Sequence, residues 1–318
     1  MKNKIFIFAP SNTMADIPKP LINIGIKRLE KIGFKPVFGK YVNCRYLHTS
    51  GTVTQRVEDL NDAFSDPNVC GAMAVFGGFN TNDLLPRLSD INTDNKKWVI
   101  GYSDVSALLF SLLENNSNLQ LMHGPSFASF CDPNFFNYTL ESFKAAINNQ
   151  KLEYNSPNFY ASDAWYLKEE FGPREINYNH NWYAYKSGKV IAPIIGGNLD
   201  TLCALLGTPY FPNIKNKVLF IESANGQPGP FQRCMVQLKQ AGIFDKITGL
   251  IVGKNPKGSP LCNRSYLIKV LDAISLPEYP ILIDVNCSHV DPMITFEFNK
   301  TVQVLANSEP TITLNYWR

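Results

Sequence analysis

Four short apolar runs, spaced by amphipathic stretches, constrain this chain more than any other feature. Lys4–Phe8, Lys35–Phe38, Gly71–Phe76 and Trp98–Gly101 read as strands. Leu21–Ile32, which ends at the capping Gly33, has helical spacing, as do Val53–Ser65 and Asn82–Leu88, and Val105–Leu113 continues the pattern after the last strand. Strands apolar on both faces and alternating with helices belong in a parallel sheet covered on both sides. The first half is therefore expected to be α/β.

Between Asn155 and Tyr185 the periodicity fails in a segment rich in Asn, Tyr and Pro. Beyond it, Val190–Ile195, Val218–Ile221, Gly249–Gly253, Ile281–Asp284 and Thr295–Phe298 read as strands. Leu199–Leu206 and Phe231–Gln240 read as helices, and Thr301–Leu305 with Thr311–Leu314 as a terminal hairpin. A chain of 318 residues exceeds one ordinary core. The expected layout is an α/β domain over residues 1–155, a connecting loop over 156–185 and an α+β domain over 186–318.

Charge and composition narrow the function classes. With 30 basic and 27 acidic side chains and no basic run, a nucleic-acid partner is not expected. The four histidines show no H-x-x-H spacing, so no metal is expected, and no cofactor fingerprint is present. Seven cysteines without a C-x-x-C pair suggest reduced thiols. The first apolar run stops at Pro10, too early for a signal peptide, and no stretch is long enough to cross a membrane. These features favour a cytoplasmic protein with no membrane partner.

The sharpest local signal is Trp98-Val-Ile-Gly-Tyr-Ser-Asp-Val-Ser-Ala-Leu-Leu. A strand ends at Gly101, Ser103 follows, and a helix begins at once, which is the context of a nucleophile elbow. The helix N-terminus behind the serine favours an oxyanion. Ser106 replaces the second glycine of G-x-S-x-G, and a plain helix cap by Ser103 or Asp104 would give the same letters. Gly77-Gly78 in Phe76–Asn80 follows another strand and serves either as a tight turn or as a place where backbone approaches a ligand. Among the histidines, His289 lies in a loop after a strand, as a catalytic base does; His123 is the runner-up, while His48 and His180 have no such frame. Glu222 closes the apolar run Val218–Glu222 and is the candidate for an orienting acid.

Taken in order, these segments resemble the LD-carboxypeptidase family of serine peptidases. The resemblance runs through Ile5–Ser11, FGGFNTNDLL at Phe76–Leu85, GYSDVSAL at Gly101–Leu108, His123-Gly-Pro, GGNLDTLCALLGTPY at Gly196–Tyr210, VLFIE at Val218–Glu222 and SHVDPMIT at Ser288–Thr295. It implies a Ser103 nucleophile, a Glu222 acid and a His289 base. The oxyanion donors it implies are the backbone N–H groups of Asp104 and of the Gly77-Gly78 turn, Gly78 in particular. It also implies a flavodoxin-like N-terminal domain, a β-rich C-terminal domain, a site between them and a homodimer. Phe76 stands where murein-type members carry arginine, and with Ser162–Trp165 this brings the chain closer to the microcin C immunity branch. Ser288 replaces a common glycine, and Phe296–Asn299 departs from the usual pattern.

The expected activity is serine-type hydrolysis of an amide in a small peptidyl or aminoacyl-nucleotide conjugate, with murein tetrapeptide cleavage as the alternative. Asn80, Trp165 and Trp182 are candidate substrate contacts, the tryptophans by offering an exposed face to a nucleobase. A non-catalytic small-molecule binder on the same fold is the competing class. A nucleotide-dependent oxidoreductase lacks its glycine fingerprint.

Overall fold

The computed structural model describes residues 3–91, 93–113, 118–165, 173–178 and 180–315. By contact the chain divides into two units. One is built on Met1–Phe135, with Gly207–Pro212 and Trp165 joined to it; the other comprises Phe136–Ala164, Arg174–Leu206 and Asn213–Arg318.

The first unit contains β1 (Lys4–Phe8), α1 (Lys19–Lys31), β2 (Lys35–Phe38), α2 (Val53–Ser65), β3 (Val69–Ala74), β4 (Lys97–Gly101), α3 (Ser106–Leu113), β5 (Leu119–His123) and α4 (Phe127–Cys131). All its strand pairs are parallel, in the order β5-β4-β3-β1-β2. That is the flavodoxin-like order, and its topological switch point lies between β1 and β3. The expected strands and helices all appear, although Asn82–Leu88 lies within a 3-10 helix over Thr81–Asp90. Pro86 inside that stretch removes a backbone donor, which disfavours a regular α-helix. α2 begins with a reciprocal cap: Gln55 N–H donates to Thr52 Oγ1, and Thr52 N–H donates to Gln55 Oε1. α3 is apolar, with Ala107–Leu112 wholly or almost wholly buried, because it must fit beneath the sheet behind Ser103.

The second unit contains α5 (Asn137–Ile147), β6 (Leu152–Tyr154), β7 (Phe159–Tyr160), β8 (Asn177–Tyr178), β9 (Tyr183–Lys186), β10 (Gly188–Asn198), α6 (Leu199–Ala204), β11 (Val218–Glu222), α7 (Pro228–Gln240), β12 (Gly249–Gly253), α8 (Arg264–Ile274), β13 (Ile281–Val285), β14 (Phe296–Glu297), β15 (Thr301–Ala306) and β16 (Thr311–Asn315). Its main sheet runs β6-β16-β15-β10-β11-β12-β13-β9. The central β10–β13 are parallel, and antiparallel strands flank them on both sides. This is the mixed, strand-rich unit expected. The terminal hairpin pairs Val304 with Ile312, and Val302 with Leu314. The segment that lacks sequence periodicity holds the small β7–β8 ribbon, which pairs Phe159 with Tyr178. Among the described residues no helix is long and apolar enough to cross a membrane.

Candidate active site

In the first unit, polar groups collect at the carboxyl ends of β1, β3 and β4, beside the switch point between β1 and β3 where open α/β sheets bind ligands. Ser103 follows β4 and opens a 3-10 turn over Ser103–Val105 that runs directly into α3. Its φ is +62°, in the left-handed region that a serine enters only under strain. A strained turn of this kind is compatible with a nucleophile elbow, whereas the residue of an ordinary helix cap is extended.

The Gly77-Gly78 turn lies against this elbow. A Cβ on Gly77 would stand 3.0 Å from both the Asp104 nitrogen and Ser103 Cβ, and 3.2 Å from Ser103 Oγ. Gly78 has φ +150°, and a Cβ there would strike Ser11 and Asn12. The bare backbone is thus what lets this turn come up to Ser103. The buried Asp104 carboxylate accepts from Thr81 N–H at 2.9 Å, which ties the elbow to the segment after Asn80. Asn80 donates its backbone N–H to Ser11 Oγ at 3.0 Å and accepts from Arg56 through its carbonyl.

In the second unit the parallel strands also end in polar groups. Glu222 is the last residue of β11 and is 1 % exposed. One carboxylate oxygen lies 2.7 Å from His289 Nδ1; the other accepts from Asn198 Nδ2 at 3.0 Å. A carboxylate can only accept, so Nδ1 carries the hydrogen and Nε2 is left as the basic nitrogen. Burial alone would lower the His289 pKa, but the charge and hydrogen bond of Glu222, followed by the charge of Asp291, leave it raised above the ordinary value.

The His289 loop is closed at its neck by Ile294 N–H donating to the Asn286 carbonyl at 2.7 Å. Asp291 and Ala161 exchange backbone bonds at 2.9 Å each way, and the Ser288 hydroxyl donates to the Lys254 carbonyl. Arg174, with its side chain 2 % exposed, bridges Asp291 at 3.0 Å and Asp163 at 2.8 Å. A side chain on Gly253 would come within 2.9 Å of Glu222 Cβ and 3.0 Å of Ser288 Cβ, so the bare end of β12 leaves room for the pair.

Two features of the site differ from the sequence expectation. Neither tryptophan offers an exposed face: Trp165 is 8 % and Trp182 2 % exposed, and the Trp182 indole N–H donates to Asn286 Oδ1 at 3.0 Å. A large ring with a single donor gains more from burial with that donor satisfied than from exposure. Asn198 is the residue that the sequence reading misses. Its Oδ1 accepts from Thr201 N–H and Oγ1, both at 3.1 Å, which caps α6, while its amide holds Glu222. An asparagine before a helix signals the cap, but the contact with Glu222 arises because β10 and β11 pair Asn198 with Glu222. His123, the alternative base, is a fully buried residue at the end of β5.

With this geometry in place, comparison with known proteins is informative. Residues 5–124 match the LD-carboxypeptidase N-terminal domain, and residues 192–304 match the LD-carboxypeptidase C-terminal domain. The chain belongs to the LD-carboxypeptidase family. Its relatives include the microcin C7 self-immunity protein MccF of Escherichia coli, 32% identical over 306 residues, covering 92% of this chain and 88% of MccF. The solved MccF-like protein of Bacillus anthracis superposes with a TM-score of 0.89 at 28% identity, covering 98% of this chain and 96% of the other. MccF in complex with aspartyl sulfamoyl adenosine gives 0.86 at 29% identity, covering 99% and 96%. Family membership makes this chain a peptidase-type hydrolase and agrees with the two-part fold.

Proposed function

We propose that this chain is a serine hydrolase that cleaves the amide joining an aminoacyl or peptidyl group to a nucleotide-like moiety. Ser103 acts as nucleophile, His289 as base and Glu222 as orienting acid. The observation that carries the reading is the left-handed Ser103 elbow with Gly77 packed on it. The Glu222–His289 bond of 2.7 Å supplies the matching acid–base pair.

In the proposed reaction the Ser103 hydroxyl oxygen adds to the amide carbonyl carbon as His289 Nε2 takes its proton. The backbone N–H groups of Asp104 and of the Gly77-Gly78 turn, Gly78 included, stabilise the oxyanion. The C–N bond then breaks, and His289 returns the proton to the departing nitrogen. Water, deprotonated by His289 Nε2, then adds to the acyl carbonyl carbon; the ester C–O bond breaks, the acid leaves, and the proton returns to Ser103 Oγ. Glu222 stays ionised and holds the imidazole in the required tautomer. The complex of MccF with aspartyl sulfamoyl adenosine supports the nucleotide-like leaving group. Phe76 supports it too: the family resemblance sets it where murein-type members usually carry an arginine.

The test is incubation of the purified chain with aspartyl sulfamoyl adenosine and, separately, with murein tetrapeptide, followed by mass spectrometry. Release of aspartate from the conjugate, abolished in Ser103→Ala, is expected. Cleavage of the tetrapeptide alone would replace the nucleotide reading with the murein one.

A further inference from the structure

We infer that Phe79 selects the acyl group, packing its ring against an apolar or aromatic side chain on the amino acid whose carbonyl Ser103 attacks. The inference deepens the hydrolytic reading above and rests on it. Phe79 is 88 % exposed, the reverse of the two tryptophans. A lone exposed phenylalanine is common on protein surfaces and by itself signals nothing. What sets Phe79 apart is the rigidity and position of its backbone.

The turn that carries it is fastened from several sides. The Phe79 and Asn80 N–H groups both donate to the buried Ser11 hydroxyl, at 3.1 and 3.0 Å. Asn12 N–H donates to the Gly77 carbonyl at 3.2 Å, and Arg56 donates to the Asn80 carbonyl at 3.0 Å. The ring is therefore displayed from a support held by several hydrogen bonds, and ordering it on a ligand costs little further backbone entropy.

Reach decides which part of the substrate it meets. Gly77 touches Ser103, and two residues of chain extend at most about 7 Å from it. The acyl side chain branches one bond from the scissile carbonyl, within that reach. A nucleobase lies beyond the amide nitrogen, the linker and the ribose. The chemistry of the turn decides what kind of side chain is favoured. Phenylalanines stand on both sides of the glycine pair, at Phe76 and Phe79. The cation bonded to this turn, Arg56, is buried and already donates to Pro10 O, Asn80 O and Asp83. An acidic acyl side chain would find an apolar ring there in place of a counter-charge.

The experiment compares phenylalanyl and aspartyl sulfamoyl adenosine with the wild-type chain and Phe79→Ala. It measures kcat/KM by product release and binding by calorimetry on a Ser103→Ala background. Phe79→Ala should melt at the wild-type temperature, since the ring is exposed. Wild type should favour the phenylalanyl conjugate, and Phe79→Ala should cut its kcat/KM and affinity roughly three- to tenfold while changing the aspartyl values by less than about twofold. Equal losses on both conjugates, a wild-type preference for the aspartyl one, or a changed oligomeric mass with unchanged selectivity would overturn the inference. Selective binding lost in Phe79→Ala without turnover of either conjugate would uphold it and sink the hydrolytic reading. Turnover indifferent to Phe79 would do the reverse.

Discussion

Replacing Glu222 by glutamine tests the acid–base pair at nearly constant volume. Donors facing this side chain include His289 Nδ1–H on one oxygen at 2.7 Å and Asn198 Nδ2 on the other at 3.0 Å. A carboxylate accepts both, whereas a glutamine amide can accept only one and turns an N–H group on the other. Relief has two routes. His289 can move its proton to Nε2, which disables the nitrogen that must act as base. Alternatively Asn198 can turn its amide over, which loses its bonds to Thr201. The first route is the analogue of a triad carboxylate-to-amide change and should cost about 10³–10⁴ in kcat. An unsatisfied donor at this buried position should also cost about 1–3 kcal/mol of stability. The pH profile provides an independent sign. In the wild type, Glu222 and Asp291 overcome burial and raise the His289 pKa. The acidic limb of kcat/KM, where His289 must lose its proton to act as base, should therefore lie above the ordinary histidine value of about 6.5. In Glu222→Gln burial remains and the main raising influence is gone, so the limb should move to lower pH. The double variant Glu222→Gln/Asn198→Asp restores an acceptor for the glutamine N–H and should recover part of the rate. Rates for Glu222→Gln within tenfold of wild type, or an unmoved acidic limb, would refute the pairing.

Four further outcomes are expected. Ser103→Ala should fold and lose at least about three orders of magnitude in turnover. Ser103→Gly, equally inactive, should melt higher than Ser103→Ala, because glycine relieves a left-handed strain of about 1 kcal/mol; scanning calorimetry of the two variants decides this. Gly77→Ala pushes a methyl group to 3.0 Å from the Asp104 nitrogen, and should lower kcat about 10²-fold with little change in ligand affinity; an unchanged kcat would remove the turn from the oxyanion site. Arg174→Met leaves Asp163, only 9 % exposed, and the more open Asp291 without their shared cation. It should cost about 3 kcal/mol in denaturant unfolding, whereas a loss below about 1 kcal/mol would mean that the bridge is replaceable by water.

Much of the architecture was legible because its signals are local. The β1, β2 and β4 runs are apolar and bounded by breakers, and Val53–Ser65 appears with the limits its periodicity suggests. α8, with Asn263 as cap and Leu267, Val270, Leu271 and Ile274 on one face, has an equally local signal but is not among the helices expected from the sequence. β5 was harder. Leu119–His123 mixes polar and apolar residues, and only pairing with β4 settles it as a strand. The connecting segment misled for another reason. Aromatic residues amid polar ones look exposed in a sequence, but burial depends on what else packs there, and Trp182 finds Asn286 over a hundred residues away.

The sequence by itself determined which residues could do chemistry: a serine between a strand and a helix, an acid closing an apolar strand and a histidine in a loop after another. These are local facts, set by hydrophobic periodicity and by the residue types that stop it. Only the tertiary structure decided that Ser103 adopts a left-handed backbone, that Gly77 packs on it, that Glu222 is shared between His289 and Asn198, and that Phe79 rather than either tryptophan presents a bare ring. Each of these depends on strand register and on distances between residues far apart in the chain. A one-residue slip of β10 against β11 would leave every local pattern intact and take Asn198 away from Glu222.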